Sequence, residues 1–155
     1  MKVNLRALSI CIALFVNIDT PVFVQTAQAR AEFRGPGFVA VLPPGVTGKT
    51  EGKVDFELTT FSQGDGRLLL SGYSGLHPSF GARSATSATY SEEQINGLKA
   101  KRLTWVDPTG NRCGEVLLAL RSSGRTTYSA HLYYCLQSES DVRMAEEIIK
   151  SIRPR

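Results

Sequence analysis

The chain has 155 residues with 18 Lys and Arg against 14 Asp and Glu, and its N-terminus reads as a leader. Lys2, Arg6 and Asp19 fall in that leader, so the remainder carries 16 basic and 13 acidic residues, a net charge of +3. That excess is small and scattered, without the interleaved aromatics of a single-strand binder, which argues against a nucleic-acid partner.

Lys2 and Arg6 precede an apolar run from Ala7 to Ile18, which is short for a membrane span. The segment closes on Ala27-Gln28-Ala29, a small-x-small cleavage pattern, so residues 1–29 read as a secretory signal cut before Arg30. The rival reading keeps the leader as an anchor. Cleavage removes Cys11 and leaves Cys113 and Cys135 in a periplasmic or extracellular compartment where a disulfide persists. About 126 residues then remain, enough for one domain over 38–155 behind a lead-in at 30–37.

In chain order, Phe38 to Leu42 reads as a strand stopped by Pro43-Pro44-Gly45, and Val46 to Gly52 as a loop. Val54 to Phe61 alternates, with Val54, Phe56, Leu58 and Thr60 as the expected buried face. Gln63-Gly64-Asp65-Gly66 turns it into a third strand, Arg67 to Tyr73. Ser74 to Thr89 has no period and is the long loop in which function is expected. Ser91 and Gln94 have capping-box spacing, which predicts a helical turn broken by Gly97. Leu98 to Val106 reads as a strand whose lysines mark an exposed face or edge. Asp107-Pro108-Thr109-Gly110 is a type I turn.

Glu115 to Arg121 and Thr126 to Leu136 form a hairpin around Gly124, and that centre sets Cys113 opposite Cys135. Val116, Leu118 and Leu120 then share an apolar face with Tyr128, Ala130, Leu132 and Tyr134, while Glu115, Ser129 and His131 lie on the other side. A helix starts near Ser138, with a stripe of Val142, Ala145, Ile148, Ile149 and Ile152 that fits across the apolar sheet face. Pro154 ends it. The expected fold class is α+β: an antiparallel meander with a C-terminal amphipathic helix packed on one face.

The order of Phe38 to Pro43, the strands from Leu98 to Leu136 and the helix Ala145 to Arg153 resembles the Mog1/PsbP-like family of small exported α+β proteins. The resemblance is one of element order and covers most of the processed chain. It implies a non-enzymatic binding or assembly role, and no ligand motif transfers residue by residue.

The residues carry little catalytic chemistry. No Gly-x-Ser-x-Gly elbow is present, and Glu92-Glu93 and Glu146-Glu147 are sequence neighbours rather than a spaced acid–base pair. Two cysteines and two histidines match no compact zinc spacing, so neither a metal nor a cofactor is expected. His77, in the long loop, is the better placed histidine; His131 reads as an ordinary sheet-face residue. Candidate partner contacts are Tyr73, His77, Phe80, Arg83, Arg121 and Arg125, with Trp105 and Arg112 as further possibilities.

The function expected from these features is an exported binding protein of the cell envelope whose partner is an envelope or effector protein, an immunity or assembly factor being one such role. The alternative is a small-ligand carrier with a cavity lined by Leu118, Tyr134 and Ile148. A hydrolase stands third and needs a histidine beside both a serine and a carboxylate.

Overall fold

The computed structural model describes residues 30–52, 56–76, 80–81 and 87–155. The leader, His77 and Arg83 lie outside the described residues. The chain runs β1 (Ala31–Gly35), β2 (Phe38–Leu42), β3 (Val46–Gly52), β4 (Phe56–Gln63), β5 (Leu68–Gly75), β6 (Thr89–Ile95), β7 (Leu98–Val106), β8 (Arg112–Ser123), β9 (Thr126–Leu136), α1 (Glu139–Ser151) and β10 (Arg153–Pro154). Seven strands form one antiparallel sheet in the order β3-β4-β5-β9-β8-β7-β6, and β1, β2 and β10 form a second, smaller one.

This is a β-rich fold and not the α+β class expected, since one helix of 13 residues accompanies two antiparallel sheets. Three segments account for the difference. Residues 30–37, expected as a flexible lead-in, contain β1, which hairpins onto β2 through Pro36 and Gly37. Val46–Gly52, expected as a loop, is β3, an edge strand so exposed that its sequence has no apolar alternation. The expected helical turn at Ser91–Gln94 is the middle of β6, which pairs with β7 along its whole length.

The competing signal at β6 is Asn96-Gly97. Both residues have positive φ, 47° and 83°, the backbone that a two-residue hairpin loop demands and that Asn and Gly tolerate best. The charges Glu92 and Glu93 belong to an edge strand, where they discourage pairing with further chains.

One side of the large sheet is the core. Val116, Leu118, Ala130 and Leu132 from β8 and β9 meet Ala145, Ile148 and Ile149 of α1 and Ile152 at its C-cap, all at 1% exposure or less. Each such isoleucine contributes roughly 2 kcal/mol by leaving water. Phe38, Ala40 and Leu42 of β2 close the same core from the small sheet. Phase decides which residues of β4 join it: Thr59 and Phe61 are buried, whereas Phe56 is 44% exposed. The expected alternation exists there with the opposite face inward, because Leu58 pairs with Tyr73 on the outer side of the sheet.

Polar side chains fix the helix at both ends. Ser138 stands at the N-cap, yet its hydroxyl meets that of Ser140 and caps no backbone amide. Asp141 in the first turn accepts 2.8 Å hydrogen bonds from Gln63 and Arg67, which ties the β4–β5 turn to the helix. At the other end the Asn96 amide donates to the carbonyl oxygens of Lys150 and Ile152 at 2.9 and 2.8 Å, satisfying groups that the helix leaves orphaned.

Candidate functional site: the outer face of the sheet

Strand register, not sequence proximity, assembles the face turned away from α1. Leu58, Tyr73, His131, Leu117, Lys101 and Glu92 form one row across six strands, from β4 to β6. The neighbouring row holds Ser71, Tyr133, Glu115, Leu103 and Tyr90. Cys135, Cys113 and Trp105 continue the surface beyond it.

A buried acid–imidazole pair sits near the middle. His131 Nε2 lies 2.6 Å from Glu115 Oε1, with side chains 13% and 7% exposed. The ring N–H does not line up with the oxygen, so the contact is close without being an aligned hydrogen bond. Burial lowers the His131 pKa below its ordinary value of 6.5, against the opposing pull of Glu115. The Gly81 amide donates to the same Glu115 oxygen at 3.1 Å. Phe80 and Gly81 thus lie against the outer face at this point.

Aromatic rings surround the pair. Tyr73 meets the His131 ring edge-on with centroids 5.1 Å apart, and Phe80, next to Gly81, does so at 6.3 Å. Phe56 packs on Tyr73 at 6.0 Å, and Trp105 lies 6.3 Å from Tyr133. Much of this surface meets solvent: Phe56, Tyr133 and Tyr90 are 44%, 41% and 51% exposed. Tyr and Trp in such a setting give large contact area with a polar handle, the composition of protein-binding surfaces.

Of the candidate contacts, Tyr73 and Phe80 come together on His131. The hairpin arginines do not join them. Arg121 stacks its guanidinium over Tyr128, 5.7 Å from the ring centre, on the core side of the ribbon, and Arg125 is exposed at its tip. Arg112 pairs with Glu139 of the helix. The Tyr128 phenol donates to Glu57, and burial together with that carboxylate pushes its pKa up to about 12.

Sequence reasoning set Glu115 on the face of His131 but gave it no role, and it missed Tyr133. A lone glutamate in an apolar strand, at the register position beside a histidine of the partner strand, is the signal that would have found Glu115.

Cys113 and Cys135 are joined in a disulfide, with Cα atoms 4.0 Å apart. Asp107 stands beside it, its Oδ2 3.6 Å from Cys135 Sγ. Burial opposes the Asp107 charge, but bonds from the Thr109 hydroxyl and the Asn111 and Thr109 amides hold its carboxyl below the usual range. These three side chains lie close enough to ligate a metal, yet a metal would need thiolates and the disulfide consumes both.

The other two functional classes find limited geometry. His131 has its carboxylate, but none of the hydrogen bonds among the described residues joins it to a serine. Leu118, Tyr134 and Ile148 belong to one packed cluster. A groove of about 660 Å³ instead crosses the outer face, floored by Leu117, Ala119, Thr127 and Ser129 and flanked by Lys99 and Lys101 of β7 and Glu92 and Glu93 of β6.

No protein-family model matches the chain, and no curated protein sequence is similar to it. A crystal structure from Bacteroides thetaiotaomicron VPI-5482 is similar at 14% identity and a TM-score of 0.44, over 80% of this chain and 48% of that one. The chain therefore spans about half the length of that neighbour. Among the described residues no helix is long and apolar enough to cross a membrane.

Proposed function

We propose that the protein is an exported, non-enzymatic binding module of the cell envelope that receives a partner protein on the outer face of its large sheet. The observation that carries this reading is the exposed aromatic surface around the buried His131–Glu115 pair, on the side of the sheet that α1 leaves uncovered. The helix face already has its occupant and is saturated by it. Aromatic anchors set around a desolvated centre match the anatomy of interaction hot spots. The signal-like leader and the single disulfide both support an oxidising destination.

The test is affinity capture with the exported protein, expressed from its full chain, followed by mass spectrometry of what it retains from envelope extract. One stoichiometric protein is expected. It should be lost with the double substitution Phe56→Ser and Tyr133→Ser and kept with Arg143→Ser on the exposed side of α1. Retention by the double variant, or recovery of a monomer with no protein partner, overturns the reading.

A further inference from the structure

We propose that the groove beside His131 is the docking site for an extended acidic segment of the partner, an inference that rests on the binding reading above. Its floor is Leu117, Ala119, Thr127 and Ser129, contributed by β8 and β9. The small side chains of Ala119, Thr127 and Ser129 lower the surface next to the taller Tyr73 and His131. The volume of about 660 Å³ lies within the roughly 300–1,000 Å³ of ligand sites.

Length and charge select the occupant. The groove runs across β6, β7, β8 and β9, three interstrand spacings of about 4.8 Å, which an extended peptide covers in four or five residues. Lys99 and Lys101 stand on its flank, on alternate positions of β7, so both ammonium groups serve the same face. Among the described residues neither has an ion-pair partner.

Glu92 and Glu93 also line the groove. Glu93 is bound by Arg102 at 2.6 Å on the opposite side of β6; Glu92, across from Lys101, accepts from the Tyr90 hydroxyl and keeps its charge, so Lys99, across from Gln94, is the cation with no carboxylate opposite it on β6. A peptide alternating carboxylates with apolar side chains would put its acids on the lysines and its apolar groups on Leu117 and Ala119. An apolar peptide would leave the ammonium groups unused, and a basic one would face them.

The probe is a synthetic pentapeptide alternating aspartate and leucine, blocked at both ends and titrated into isotope-labelled exported protein under NMR observation. Amide shifts are expected at Lys99, Lys101, Leu117, Ala119 and Ser129. Affinity should fall about tenfold in the K99E/K101E variant, and several-fold between about 20 and 300 mM salt as screening sets in. The same peptide with lysine replacing aspartate should give no shifts there. A second variant, K99Q/K101Q, removes charge without reversing it and keeps the test valid if the first misfolds.

Shifts centred elsewhere, an affinity indifferent to both variants, or no binding at about 1 mM peptide overturns the groove assignment. Partner capture separates this failure from failure of the wider reading. Capture lost in the Phe56→Ser, Tyr133→Ser variant but intact in K99E/K101E overturns the groove alone. Capture intact in both overturns the binding face itself.

Discussion

Cys113 and Cys135 face each other because the β8–β9 pairing slips by one residue between Ala119 and Arg121. At the tip Ser123 pairs with Thr126 and Arg121 with Tyr128; continued unchanged, that register would set Cys113 opposite Leu136. The extra residue, Leu120, is absorbed as a bulge and buried in the core. Below it the ladder is centred on Gly124 and the sulfurs meet.

The bridge links positions 22 residues apart, and restricting the unfolded chain by that loop is worth about 3 kcal/mol. Reduced protein and the Cys113→Ser, Cys135→Ser variant should both unfold at lower denaturant, by an amount approaching that figure. Equal midpoints for oxidised and reduced protein would show that the hairpin alone supplies the constraint.

Gly114 lies beneath the ring of its neighbour Tyr134, and a β-carbon there would come within 2.4 Å of the ring carbons. The Tyr134 hydroxyl donates to Glu146, which also holds Arg102, so pushing the ring aside loosens the join between β9, β7 and α1. Gly114→Ala should therefore cost about 2–3 kcal/mol, read by chemical denaturation. Pairing it with Tyr134→Phe should recover little, since the ring itself is the obstacle.

The depressed His131 pKa gives stability a pH dependence with a definite sign. The unfolded chain binds a proton near 6.5 and the folded one only at lower pH, so the stabilisation is full above 6.5 and drains away as pH falls below it. Thermal midpoints should drop between about pH 6.5 and 5. The slope should flatten in His131→Gln, whose side chain does not titrate in that window.

Asn96 has two tasks that substitution can separate. Asn96→Gly keeps a residue suited to φ of 47° and loses only the two bonds to the helix carbonyls, which should cost about 1–2 kcal/mol. Asn96→Ala adds the strain of a positive φ and should cost about 1 kcal/mol more. Equal losses in the two variants would assign the whole effect to the hydrogen bonds.

Elements bounded by clear turn residues were legible in the sequence. Phe38–Leu42, Leu98–Val106 and Thr126–Leu136 have the expected bounds, and the cysteines pair as expected, although it is the bulge at Leu120, which the sequence did not announce, that brings them into register. Val46–Gly52 was illegible because an exposed edge strand needs no apolar alternation, its order coming from seven pairings to β4. At Ser91–Gln94 a local capping pattern conflicts with the Asn96-Gly97 turn, and the long-range ladder decides for the turn. The outer face was only half visible: its aromatics stand in the sequence, but which of them share a row with His131 depends on the register of six strands.

Arg153 and Pro154 complete the pairing of β2, the second strand in the chain. Arg153 and Pro154 pair with Val39 and Phe38, the Ser151 hydroxyl accepts from the Val41 amide at 2.8 Å, and the Arg155 amide donates to the Gly37 carbonyl. Every one of these contacts closes more than 100 residues of intervening chain, so folding cannot finish until the C-terminus is at hand. A polypeptide made N-terminus first holds β2 unpaired on one side until Arg153 and Pro154 are at hand. That delay concentrates vulnerability to aggregation in the interval before Arg153 and Pro154 arrive.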